Sequence, residues 1–132
     1  QRLFDSIPNV KLDYGHQNIR DLIKKSRIYI STYNATTFLE SMAWNIPTII
    51  FWNEEHWELS EDAMPFFELL KSVGIFHDSP NGAAKHLTNI WDNIEDWWLL
   101  DSVQEARLVF CNQYSKNPTD PLGELEIFFR DL

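Results

Sequence analysis

The strongest constraint on the fold lies between Arg27 and Trp52, where two runs of β-forming residues flank a helical segment. "RIYIS" (27–31) has the β-branched and aromatic content of a short strand. "TIIFW" (48–52) is a near-continuous apolar run, the pattern of a strand buried on both faces. Between them, residues 35–45 place Phe38, Leu39, Met42 and Ala43 in one apolar stripe at helical spacing. Pro47 restricts Ile46 and helps to end that helix. A strand, a helix and a strand in this order predict parallel pairing through a right-handed crossover.

The same alternation continues along the chain. "IRDLIKK" (19–25) spaces Ile19, Leu22 and Ile23 as a helix and ends in basic residues, which suit a helix C-terminus; the helix is expected near 17–25. A helix over 64–73 stops at Gly74, the expected left-handed C′ residue, and Pro65 opens or kinks it. "GIFH" (74–77) is a third candidate strand. Ser79-Pro80 starts a helix over 80–95 by cap and N1 logic, with Ala83, Ala84, Leu87, Ile90, Trp91 and Ile94 on one side. Asp101 with Gln104 resembles a capping box for a helix over 101–115. Asp120-Pro121 starts a last helix over 121–131, with Leu122, Leu125, Phe128, Phe129 and Leu132 apolar. The expectation is an α/β fold: a small Rossmann-like parallel sheet of three to four strands flanked by helices, with a helical C-terminal end, in a single domain over residues 1–132.

Composition narrows the function classes. A chain of 132 residues can bury roughly two thirds of its unfolded surface, enough for one core. A formal net charge of −9 argues against nucleic acid as a partner, because phosphate polymers need a basic stripe. No apolar run is long enough to span a bilayer, and no signal-peptide pattern opens the chain. A single cysteine, Cys111, makes neither an intrachain disulfide nor a zinc site, and fits a reducing, cytoplasmic compartment. His16, His56, His77 and His86 have no metal-ligand spacing, so neither a metal nor a cofactor is expected. The six Trp residues are expected as core or interface anchors.

The candidate site is the segment "STYNATT" (31–37), which follows a strand and opens a helix. In open α/β sheets ligands gather there, at the C-terminal ends of strands, where helix N-termini present free N–H groups. Ser31, Thr32, Asn34, Thr36 and Thr37 can add hydroxyl or amide donors around a diphosphate. At about 100° per residue, Thr36, Glu40 and Trp44 share one face of the helix, away from the apolar stripe. Glu40 would then lie one turn deeper, about 6 Å along the axis, within reach of a ribose diol. Asn53 and His56, in the loop after the second strand, are possible further ligand contacts; Glu54 and Glu55 beside them would repel a diphosphate. Ordinary turn and capping chemistry also accounts for such Thr and Asn residues, and an exposed helix Glu is commonly just solvated.

The segment Thr37 to Pro47, with "ESMAWNIP" followed by "TIIF", resembles the donor-binding half of GT-B glycosyltransferases. Together with "FWNEEHWEL" and "IWDNIEDWW", it makes the chain similar to the C-terminal part of a bacterial family of transferases in surface-carbohydrate synthesis. The resemblance runs from about Leu12 to about Tyr114 and implies that Glu40 holds the ribose of a nucleotide-sugar. It further implies that Thr36 and Thr37, with the helix N-terminus, hold the diphosphate. Three departures accompany it. Thr32 stands where many retaining relatives carry a second Glu, Asn45 replaces the usual Gly, and no Lys or Arg near the loop matches the basic phosphate clamp. The resemblance implies an acceptor lobe beyond these residues, so no catalytic residue is assigned and the chain alone is expected to catalyse little. The alternatives are an interaction or oligomerisation module derived from such an enzyme, and a fragment similar to nucleotide-sugar epimerases. Elsewhere, His77-Asp78 reads as a strand end before a cap, Trp97-Trp98 and Cys111 as packed core, and no nucleophile elbow appears.

Overall fold

In the computed structural model, which describes residues 7–53, 55, 56, 58–116 and 120–131, three parallel strands form one sheet in the order β1–β2–β3. They are β1 (Tyr29–Ser31), β2 (Thr48–Phe51) and β3 (Phe76–His77). Tyr29 pairs with Thr48 and Ser31 with Ile50, while Ile50 pairs with Phe76 and Phe51 with His77. Thr48, Ile49 and Ile50 are all fully buried. Successive strand residues point to opposite faces, so both faces of β2 are covered, as its apolar run requires. The expected strands at 27–31 and 74–77 are shorter in the structure, and Ile75 meets β2 only through its carbonyl, which accepts from Ile50 N at 2.8 Å.

Seven α-helices surround it among the described residues: α1 (Ile19–Lys25), α2 (Thr36–Ala43), α3 (Met64–Ser72), α4 (Pro80–Ile90), α5 (Ile94–Trp98), α6 (Asp101–Tyr114) and α7 (Pro121–Arg130). α2 packs on β1, β2 and α6; α3 on β3 and α6; α4 on β2 and β3. An aromatic cluster sits where these meet. Trp52 lies 4.8 Å from Phe76 and 5.4 Å from Phe67, centroid to centroid, and Phe67 lies 5.3 Å from Phe110. Each such ring, buried, contributes on the order of 1.5–3 kcal/mol through removal of apolar surface from water. Among the described residues no helix is long and apolar enough to cross a membrane.

Several local expectations hold for stated reasons. Gly74 ends α3 at φ +85°, and a Cβ there would come within 2.5 Å of the His86 ring, so glycine is required twice over. Asn45, in place of the usual Gly, follows α2 at φ 57°, a left-handed conformation that Asn can adopt. Ser79 and Asp120 cap α4 and α7 by accepting from the backbone N–H groups of Gly82 and Gly123.

Others are corrected. The helix expected over 80–95 breaks at Ile90 into a 3₁₀ turn, Trp91–Asn93, before α5. Arg27 holds that turn, donating to the Trp91 carbonyl at 3.0 Å and lying over the Trp91 ring, so Trp91 faces solvent with Ala84 rather than joining the buried side. Asp101 and Gln104 form no capping box. Leu100 is the N-cap residue, and the Gln104 amide instead donates to the Trp98 carbonyl and to Asn45 Oδ1. In α2 the inward side is Phe38, Ser41 and Met42, with Ala43 exposed. Ser41 goes inward because its hydroxyl meets that of Thr48 at 2.9 Å, with the carbonyls of Phe38 and Ile46 also in reach. Each hydroxyl thereby has a carbonyl to donate to, as buried polar groups require. Helix α7 forms as expected, yet Leu122, Leu125, Phe128 and Phe129 stay exposed on it. Leu132, Glu54 and Trp57 lie outside the described residues.

Candidate functional site

All three strands run parallel, so their C-terminal ends, Ser31, Phe51 and His77, open on one edge of the sheet. The chain leaves β1 at that edge and enters α2 after four residues. Ala35 is the N-cap residue in extended conformation, no side chain caps the helix, and its first turn holds no acidic residue. The first N–H groups of α2 are therefore donors without a side-chain acceptor, at the positive end of a helix dipole.

The residues expected at the site divide into three groups. Thr36, Glu40 and Trp44 come together: they line one open cleft of about 410 Å³, as their helical spacing requires. Asn34 lines an adjoining hollow of about 250 Å³, and Leu39 forms part of both walls. Ser31 and Thr37 turn toward the sheet. Ser31 is buried and its hydroxyl donates to the Tyr33 carbonyl at 3.0 Å. Burial pushes the Tyr29 phenol above its ordinary value, and the Ser31 and Thr37 side chains, as hydrogen-bond partners, oppose that shift. Thr37 is half-buried, leaving its backbone N–H rather than its hydroxyl as the group best placed for an anion, while Thr32 is exposed. Asn53 and His56 do not line the cleft. They form a turn of their own, in which Asn53 Oδ1 accepts from Glu55 N and the Asn53 carbonyl from His56 N, both at 3.0 Å.

Sequence spacing missed the basic residues. No Lys or Arg lies within the 31–37 loop, but Arg20 on α1 and Lys116 beyond α6 both line the cleft. Asn18 caps α1 by accepting from Arg20 N, which fixes Arg20 in the first turn of that helix. From there its Nη2 reaches Glu40 Oε1 at 2.9 Å. Lys24, one turn on, lies over the Trp44 ring at 4.8 Å. Only the tertiary approach of α1 to α2 creates these pairs, so no local pattern could have announced them.

The C-terminal end of α2 is held differently. The Met42 carbonyl accepts from the buried Arg107 at 3.0 Å, and Asn45 Oδ1 accepts from Trp98 Nε1 at 2.8 Å. Trp97 is likewise buried, donating to the Val73 carbonyl at 3.0 Å. The Trp97-Trp98 pair thus fixes the frame and offers no ring to a ligand. Cys111 is buried, as expected of a small apolar group.

A second cleft of about 410 Å³, lined by Arg27 and residues 92–96, carries Asp92, Glu95 and Asp96. Its guanidinium is already committed to Trp91, and its carboxylates would repel an anion. Among the described residues no group of three or more His, Cys, Asp or Glu could hold a metal ion.

Compared with known proteins, residues 1–129 match the sequence profile of one family, described as LIC12162 family transferase. No curated protein and no solved structure matches the chain.

Proposed function

The chain belongs to the LIC12162 family of transferases, and from that premise we propose that it binds the nucleotide-sugar donor of a glycosyl transfer in surface-carbohydrate synthesis, as the donor half of a GT-B-type enzyme. One observation carries the reading. Thr36, in the first turn of the uncapped α2, and Glu40, one turn further in, line a single cleft along the outer flank of that helix.

In this reading the diphosphate sits at the first N–H groups of α2, with the Thr36 hydroxyl as a further donor. The Glu40 carboxylate accepts hydrogen bonds from the ribose diol, and charge-assisted bonds of this kind are roughly twice as strong as neutral ones. Transfer of the sugar leaves negative charge on the departing nucleoside diphosphate, and a fixed helix terminus stabilises that charge without reorganising. Ser31, Thr32, Asn34 and Thr37 contribute through the shape and backbone of the loop, and Asn53 and His56 are reserved for the outer part of the donor. No residue here is assigned as nucleophile or base; those are expected on the acceptor side of the enzyme. The reading needs no cofactor beyond the nucleotide-sugar itself, and places the work in the cytoplasm, where such donors are made.

The test is thermal unfolding with UDP, GDP and CMP compounds at millimolar concentration. Binding to the native state raises the midpoint by mass action. No rise with any of them, on well-folded protein, would overturn the reading.

A second reading, an oligomerisation module, is favoured by one feature: Leu122, Leu125, Phe128 and Phe129 stand exposed on α7. Sedimentation at high concentration tests it, and a strictly monomeric species contradicts it.

A further inference from the structure

The cleft beside α2 differs in charge from the rest of the molecule. In a chain of formal charge −9, its lining carries two cations, Arg20 and Lys116, against one carboxylate, Glu40. A third cation, Lys24, rests on the Trp44 ring that forms part of the wall. Two cations against one carboxylate on the wall of an open cleft favour an anionic ligand there.

The Arg20–Glu40 contact leaves capacity on each side. It uses one guanidinium nitrogen and one carboxylate oxygen. A guanidinium has five N–H donors in a planar fork, and a carboxylate has about four lone-pair positions. Arg20 can therefore hold Glu40 in place for a diol while offering its other nitrogens to an oxyanion one helical turn away. Lys116, whose ion pair with Glu124 is long at 3.7 Å, is less committed and stands on the same wall.

We infer that Arg20 is the phosphate-binding cation of this cleft, with Lys116 in support, so that the ligand it selects must carry a vicinal diol and a phosphate together. This rests on the donor-binding reading and specifies it. The cation that the loop lacks in sequence is supplied by α1, and the preferred ligand class is the nucleoside 5′-diphosphate rather than the nucleoside or a free sugar. Arg20 thereby links the two halves of the ligand, positioning Glu40 for the ribose and contacting phosphate itself.

The experiment measures binding of UDP, GDP and CDP, and of the corresponding nucleosides, by isothermal titration calorimetry. The proteins compared are the unaltered chain, Arg20→Gln, Arg20→Lys and Lys116→Gln. Arg20 and Lys116 are exposed, so the variants should unfold at the same temperature as the parent. Arg20→Gln is expected to weaken the best diphosphate about tenfold or more and its nucleoside by a clearly smaller factor, since the nucleoside loses only the positioning of Glu40. Arg20→Lys should recover part of the loss, because it keeps the charge without the fork. Lys116→Gln should cost less than Arg20→Gln. Unchanged diphosphate affinity in Arg20→Gln, in a chain whose parent binds it, overturns the inference and leaves the donor reading standing. Equal loss of diphosphate and nucleoside also overturns it, because Arg20 would then act only by orienting Glu40. Failure of the parent to bind any of the nucleotides removes both.

Discussion

The two faces of α2 are made from the same eight residues and do opposite things. Inward, Phe38, Ser41 and Met42 are buried against β1, β2 and α6, and the polar atom among them is paired within the protein. Outward, Thr36 and Glu40 line an open cleft, and Glu40 finds its partner on another helix. The two ends differ in the same way. Arg107, Trp98 and Gln104 tie the C-terminal end through Met42 and Asn45, whereas no side chain caps the N-terminal end. Such a helix is clamped where it needs to be rigid and left unsatisfied where a ligand can satisfy it. Preorganised donors of this kind cost nothing to arrange at the moment of binding, because the frame has already fixed them.

Substitutions should separate the faces. Phe38→Ala, on the inner face, is expected to cost about 3–5 kcal/mol in chemical denaturation, since it opens a cavity between the Trp52 and Phe110 rings. A loss below about 1 kcal/mol would mean the inner face is not the frame it looks like. Asn45→Ala should cost about 2 kcal/mol. It forces a Cβ-bearing residue without a local side-chain bond into φ 57°, and it removes the nearer acceptor of Trp98 Nε1, leaving the Asn45 carbonyl at 3.2 Å. Asn45→Gly keeps the conformation and isolates the lost hydrogen bond. On the outer face, Glu40→Gln should change stability by no more than about 0.5 kcal/mol, because an exposed ion pair contributes little. A larger loss would move Glu40 from the site to the frame.

A pH titration gives the smallest contrast. Burial, with the neighbouring His77 as second cause, holds the His86 imidazole below its ordinary 6.5. Its Nε2 is buried against Trp97, without a hydrogen-bond partner among the described residues. The unfolded chain then takes up that proton more readily than the native one. Stability is therefore full above about 6.5 and falls as the pH drops through the lowered native value. His86→Phe should flatten that slope, as read from unfolding midpoints between pH 7.5 and 5 at roughly constant salt. An unchanged slope would show that another group sets the acid sensitivity of the frame.

What the sequence revealed depended on how local each cause is. The β2 run, the glycine after α3, the Ser79 and Asp120 caps and the shared face of Thr36, Glu40 and Trp44 are set by neighbours within a turn or a strand, and all were readable. Arg20 was not, because its partner is twenty residues away and on another helix. The break at Trp91 was hidden for the same reason: its holder, Arg27, precedes β1. Ser41 against Ala43 turned on a hydroxyl across the sheet at Thr48, which hydrophobic periodicity counts the wrong way. Gln104 had the right spacing for a capping box, but the carbonyl of Trp98 and the amide of Asn45 bind it first. The outer face was thus half legible: its carboxylate and hydroxyl by periodicity, its cations only through the fold.

The most direct test of the donor-site account is the affinity of Glu40→Ala for the nucleotide that the parent chain binds best, measured by calorimetry beside thermal unfolding of both proteins. The account predicts superimposable unfolding without ligand, about tenfold or greater loss of affinity, and loss of most of the ligand-induced rise in midpoint. Equal affinity in the two proteins, or a loss of binding that merely follows a loss of fold, would contradict it.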